Sequence, residues 1–136
     1  MSALSFVHLN DVSEFKPPFD HDYALLLLIE GVPLGSELRK ELCGKIVASK
    51  CQYFLCSGSE CSLWDDDVDW AAIEQKKDVI TTWHENETLQ EVLYFLTDHV
   101  KKSMDDKTID LKCVMSLGGD GSILGRCKEI MKEMKA

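Results

Sequence analysis

The sequence predicts a small α/β domain of three layers, doubly wound around a mainly parallel four-stranded sheet of flavodoxin-like or Rossmann-like type. Three observations predict it. Short apolar runs alternate with segments whose apolar residues recur every three or four positions, the pattern of parallel strands joined by crossover helices. The run DYALLLLIE at 22–30 is apolar throughout rather than at alternate positions, which marks a strand covered on both faces. With 136 residues, 45% hydrophobic and 29% charged, the chain suffices for one domain with its own core.

The elements follow in order. Residues 1–20 end in FKPPFD, whose two prolines force an extended backbone, so this segment is expected to be an N-terminal arm lying over a single domain at 21–136. After the first strand, GVPLG reads as a turn. Ser36 is then placed to cap a helix striped by Leu38, Leu42 and Ile46. CQYFLCSG, from Cys51 to Gly58, is a second buried strand. Asp65, Asp66 and Asp67 precede VDWAAIE and suit the positive end of a short helix. DVITTWHE, from Asp78 to Glu85, is β-branched and aromatic, hence a third strand. Asn86 is expected to cap the next helix, which carries Leu89, Val92, Leu93, Leu96 and Val100 on one face and closes on Lys101 and Lys102. TIDLKCVMSL is the fourth strand, and Ile123, Cys127, Ile130, Met131 and Met134 stripe the last helix.

Composition narrows the function classes. The formal net charge of −9, from 24 acidic and 15 basic residues, argues against nucleic-acid binding, which rests on neutralising phosphates. It suits a solvated surface or a basic protein partner. The longest apolar run is too short for a bilayer, and the N-terminus lacks the order of regions of a signal peptide, so a cytoplasmic location without membrane contact is expected. Cys43, Cys51, Cys56, Cys61, Cys113 and Cys127 fall within apolar patterns and read as reduced core thiols. No C-x-x-C pair occurs, so neither a metal nor a cofactor is expected.

Parallel sheets of this kind bind ligands beyond the carboxyl ends of their strands. That rim receives Glu30, Cys56, Ser57, His84, Glu85 and the glycine loop SLGGDGSILG, with Asp65 and Asp66 able to fold over it. Cys56, Asp65, His84 and Asp120 are the catalytic candidates, a thiol, an imidazole and carboxylates for acid–base or nucleophilic chemistry. The bland reading gives them to the core and to the solvated surface. Trp64, Trp70 and Trp83, each close to acids, form either a binding surface for cations and Arg-bearing proteins or a cover over the helix–sheet seam.

The clusters CS-x-WDD-x-VDWA and TTWHENE-x-L-x-EV resemble a family of small uncharacterised bacterial α/β domains, over roughly Tyr23 to Phe95. That resemblance implies a fold and no activity. LGGDGSIL is similar to the strand–GGDG–helix loop of NAD kinases and diacylglycerol-kinase-like lipid kinases. It implies backbone contacts from Gly118, Gly119 and Gly121 to phosphate, Asp120 as the functional acid and Ser122 as a phosphate contact or cap. Only fourteen residues follow Ser122, where those kinases add a large second domain. A tight turn capped by Ser122 is therefore the expected role of the loop.

The function expected from these features is protein binding of the immunity or antitoxin type, with the question of catalysis left open. An acidic face of Trp64, Asp65, Asp66, Asp67, Asp69, Glu85 and Glu87 would neutralise a basic partner such as a toxin. The alternative is a small nucleotide- or phosphate-binding protein or enzyme that uses the loop at 118–122.

Overall fold

The computed structural model describes residues 3–31, 33–100 and 108–135. Its five-stranded sheet is parallel throughout: β1 (Ala3–Leu9), β2 (Tyr23–Ile29), β3 (Cys51–Gly58), β4 (Ile80–His84) and β5 (Leu111–Leu117), in the spatial order β1-β5-β2-β3-β4. Four helices accompany it: α1 (Ser36–Ala48), α2 (Cys61–Gln75), α3 (Leu89–Asp98) and α4 (Ser122–Lys135). The α/β class with a parallel sheet is as expected, but the strand count is five, not four. The additional strand lies in the segment expected to be an arm. Leu4, Phe6 and Val7 of β1 pack partly buried against the two cores, and a single turn of 3-10 helix at Val12–Glu14 leads away from it.

Strand alternation divides the interior into two cores. Leu25, Leu27, Phe54, Cys113 and Met115 face α1 and α2. Leu26, Leu55 and Val114, the intervening positions, face α3 and α4. All seven residues of β2 are buried, which is why its sequence is apolar without alternation.

Helix ends depart from expectation in an instructive way. Gly35 occupies the N-cap of α1 and Ser36 is its first helical residue, with no side-chain cap. Thr88, not Asn86, caps α3, in a reciprocal capping box with Glu91 at 3.1 Å in both directions. Asn86 instead takes a left-handed backbone (φ 60°) that turns the chain from β4 into α3. α2 begins at Cys61, after a left-handed Glu60, so the aspartates expected ahead of the helix lie within it. Lys101 and Lys102 lie outside the described residues. No helix among the described residues is long and apolar enough to cross a membrane.

Candidate functional site

The strand order puts the loops after β5 and β2 side by side, and α4 and α1 leave them toward opposite faces of the sheet. This is the switch point at which sheets of this kind open a crevice. A pocket of about 280 Å³ lies there, lined in part by Asn10, Glu30, Leu34, Leu117 and Gly118. Glu30 N–H donates to Leu117 O at 2.9 Å, and Gly118 N–H to Leu9 O at 3.2 Å. Gly118 has φ +81°, and a Cβ there would run into the Glu30 carbonyl, so only glycine fits. A Cβ on Gly119 would lie 3.1 Å from Glu30 Oε1, so the carboxylate lies over the loop.

Asp120 Oδ1 accepts the backbone N–H of Ser122 at 2.9 Å, and this bond holds its carboxyl below the usual range. Ser122 is therefore the first residue of α4 rather than its cap: Gly121 holds the N-cap position, and the Asp120 carboxylate takes the Ser122 N–H. Gly121 packs against the imidazole of His8. An anion approaching this loop meets the carboxylates of Glu30 and Asp120.

Beside it is a polar pair that sequence reasoning missed. His8 Nδ1 lies 2.6 Å from Ser116 Oγ and Nε2 3.0 Å from Asn10 Oδ1. With Nε2–H donating to Asn10, the Ser116 hydroxyl donates to Nδ1. Ser116 is fully buried. Its hydroxyl anchors the ring and is closed to solvent.

The other catalytic candidates gather at the far edge of the sheet. From β4 to β5 there are three inter-strand spacings, roughly 14 Å, so His84 and the glycine loop do not meet. Alternation along β4 separates the candidates again. Thr82 and His84 point toward α3, and Thr81 and Trp83 toward α2. His84 Nδ1–H donates to Glu87 Oε2 at 3.0 Å, its Nε2 accepts from Thr82 Oγ1 at 2.9 Å, and the ring stands edge-on to Phe95 at 4.9 Å. Cys56 is fully buried. Its thiol donates to Cys61 O at 2.9 Å, and burial, with lesser contributions from Cys61 and Asp65, pushes its pKa far up. A thiol so held forms no thiolate nucleophile.

On α2 the i, i+1, i+4 spacing brings Asp65, Asp66 and Asp69 together. One carboxylate oxygen from each lies within 4.8 Å of the others. Thr81 Oγ1 donates to Asp69 Oδ1 at 2.8 Å. Asp65 is 3% exposed, and its Oδ1 has no hydrogen-bond partner. Burial first, then the charges of Asp69 and Asp66, raise its carboxyl from 3.8 to about 6, against the lowering influence of Thr81 and His84.

The acidic, tryptophan-bearing face expected from sequence is divided by the fold. Trp64 is 1% exposed and packs in the core beneath α1 and α2, which is the seam-covering role. Asp65 is buried, and Asp67 is held by Arg39 Nε at 2.5 Å. Asp66, Asp69, Glu85 and Glu87 remain at the surface, Glu87 engaged with His84. Trp70 and Trp83 are 64% and 50% exposed, as is Ile73 at 66%.

Comparison with known sequences decides the family. The profile described as "Domain of unknown function (DUF7684)" matches residues 4–133, nearly the whole chain. The chain belongs to the DUF7684 family. The matched span takes in β1 from Leu4 onward and the other four strands whole, so the edge strand is part of the DUF7684 domain. No curated protein matches the chain. A solved structure described as "Crystal structure of an hypothetical protein" is similar at 14% identity and a TM-score of 0.48, covering 89% of this chain and 78% of that one.

Proposed function

We propose that this DUF7684 chain is an acidic protein-binding module of the immunity or antitoxin type, which docks a basic protein on α2 and β4. One observation carries the reading. Trp70, Ile73 and Trp83 are half or more exposed on these two adjacent elements, among the surface carboxylates of Asp66, Asp69, Glu74 and Glu85. Large exposed aromatics are the side chains that anchor protein interfaces, and a rim of one charge selects partners of the opposite charge. The net charge of −9 extends that selection over long range. β4 adds a further feature, because it pairs only with β3 and leaves the backbone groups of its outer edge unpaired by any described strand. The glycine loop has no anion-binding role in this reading, since Glu30 and Asp120 already place negative charge there.

The test is affinity capture from cells that carry the gene, with wild type and a Trp70→Ala/Trp83→Ala double variant compared at low and high salt. Wild type is expected to retain a basic protein at low salt and release it at high salt. The double variant should lose at least about tenfold in affinity for that protein, with an unchanged circular dichroism spectrum. Equal capture by the double variant, or no specific partner at low salt, overturns the proposal.

A further inference from the structure

We infer that α2 carries a binding site for a hard divalent cation, Ca²⁺ or Mg²⁺, formed by the carboxylates of Asp65, Asp66 and Asp69 where the helix meets β4. This goes beyond the docking reading and does not depend on it. The three carboxylate oxygens lie within 4.8 Å of one another. Oxygens that share one Ca²⁺ lie at most about 5 Å apart and those that share one Mg²⁺ at most about 4.2 Å, so a set within 4.8 Å is compatible with a shared hard cation.

The second observation is the state of Asp65. Its side chain is 3% exposed, and Oδ1 is buried without a donor while its carboxylate faces two others. A buried carboxylate oxygen demands a donor, a proton or a cation. The Thr81 hydroxyl donates to Asp69 Oδ1 at 2.8 Å and leaves Asp65 Oδ1 without a partner, and Arg39 is taken by Asp67. His84 turns to the other face of the sheet, where both ring nitrogens have partners. Three carboxylates thus converge on one spot, and one of their oxygens is buried without a hydrogen-bond partner.

The chemistry of the ligands selects the ion. All three are carboxylate oxygens, with no imidazole in the set, and the nearby thiols of Cys56 and Cys61 are kept protonated by burial. Soft or borderline metals find no suitable donor, and hard cations do. Asp66 and Asp69 are exposed, so the ion enters from solvent and keeps water on its outer side.

The test is titration of the chelator-stripped full chain with Ca²⁺, Mg²⁺ and Mn²⁺ at neutral pH, read by calorimetry and by melting temperature. One saturable site is expected, with a melting temperature that rises as the ion is added. Asp65→Asn keeps the shape of the side chain and removes its charge. It is expected to melt no lower than wild type in chelator and to lose at least about tenfold in ion affinity. Asp69→Asn, at an exposed ligand, should weaken the ion likewise, and Glu74→Gln should leave it unchanged. Absence of binding by all three ions overturns the inference and leaves Asp65 as a group that takes a proton only. Binding to Asp65→Asn as tight as to wild type overturns it too, as attraction to an acidic surface. The docking test reads the tryptophans, so failure of one proposal is distinguishable from failure of the other.

Discussion

Asp65 shows what one side chain does to the stability of this domain. Its carboxyl ordinarily titrates at 3.8 and in the fold at about 6, so between those values the folded chain holds a proton that the unfolded chain has released. Stability from this group is full below the lower value and is lost as pH rises through the upper one. The loss levels off about one unit above the upper value. Asp65→Asn removes the titration. In chelator, its melting temperature minus that of wild type should grow from pH 4 to pH 7 and then level off. A difference that stays constant over this range would show that Asp65 is not the source. The same residue explains why Trp64 was ambiguous in the sequence. Positions 61, 64, 65, 68, 71 and 72 make the buried stripe of α2, and a charged residue inside it hides the helical period. Once Asp65 is known to be buried, Trp64 falls into line as core. Burial of an acid is a property of tertiary packing, and no local pattern announces it.

Elements were legible where their pattern was pure. β2 is a continuous apolar run, β3 and β5 each hold a short apolar stretch with mostly buried residues, and α3 and α4 have a clear stripe on one face. β1 was not legible, because its ALSFVHL sequence is half-buried at an edge and neither alternates nor runs apolar. α2 begins at a left-handed Glu60 with no side-chain cap, so no start signal precedes Cys61. The glycine loop was readable as a turn, but which group caps α4 was not. The Asx-type bond from Ser122 N–H to Asp120 competes with a serine cap at no cost in letters. Two alanine substitutions on either side of this cap make a paired prediction. Gly118→Ala forces a left-handed residue against the Glu30 carbonyl and should cost on the order of 2–3 kcal/mol or more in denaturant unfolding. Gly125→Ala, inside α4 with nothing within 4 Å of its Cβ, should stabilise by roughly 0.5–1 kcal/mol. Equal effects at the two positions would remove the strain argument.

For the whole molecule, the six cysteines report on cooperativity. All are free and buried, spread over both cores, in β3, β5, α1, α2 and α4. Burial is the leading cause that raises each resolved thiol pKa, with that of Cys127 pushed up to about 11 and those of Cys51 and Cys113 to about 12. The native protein is therefore expected to react with no thiol reagent on the timescale of mixing, and all six thiols should react in guanidinium at the global unfolding rate. Reaction of Cys127 alone in native buffer would show that α4 opens independently of the sheet. The class and the parallel order of the molecule were readable from alternation of elements. Strand order was not, and it is strand order that parts His84 from the glycine loop.

The place of β5 has a consequence for how the chain is made. β1 and β5 pair across 108 residues, and β5 also separates β1 from β2. As the polypeptide leaves the ribosome, β2, β3 and β4 can assemble with α1 and α2 while β1 waits without a partner. During that interval the flank of β2 that β5 will cover is an open, wholly apolar strand edge, the kind of surface that recruits other nascent chains. The last strand to be translated closes two seams at once. Until it does, the earliest-made residues of the domain contribute nothing to its stability, and chaperone occupancy should fall sharply only as β5 clears the exit tunnel.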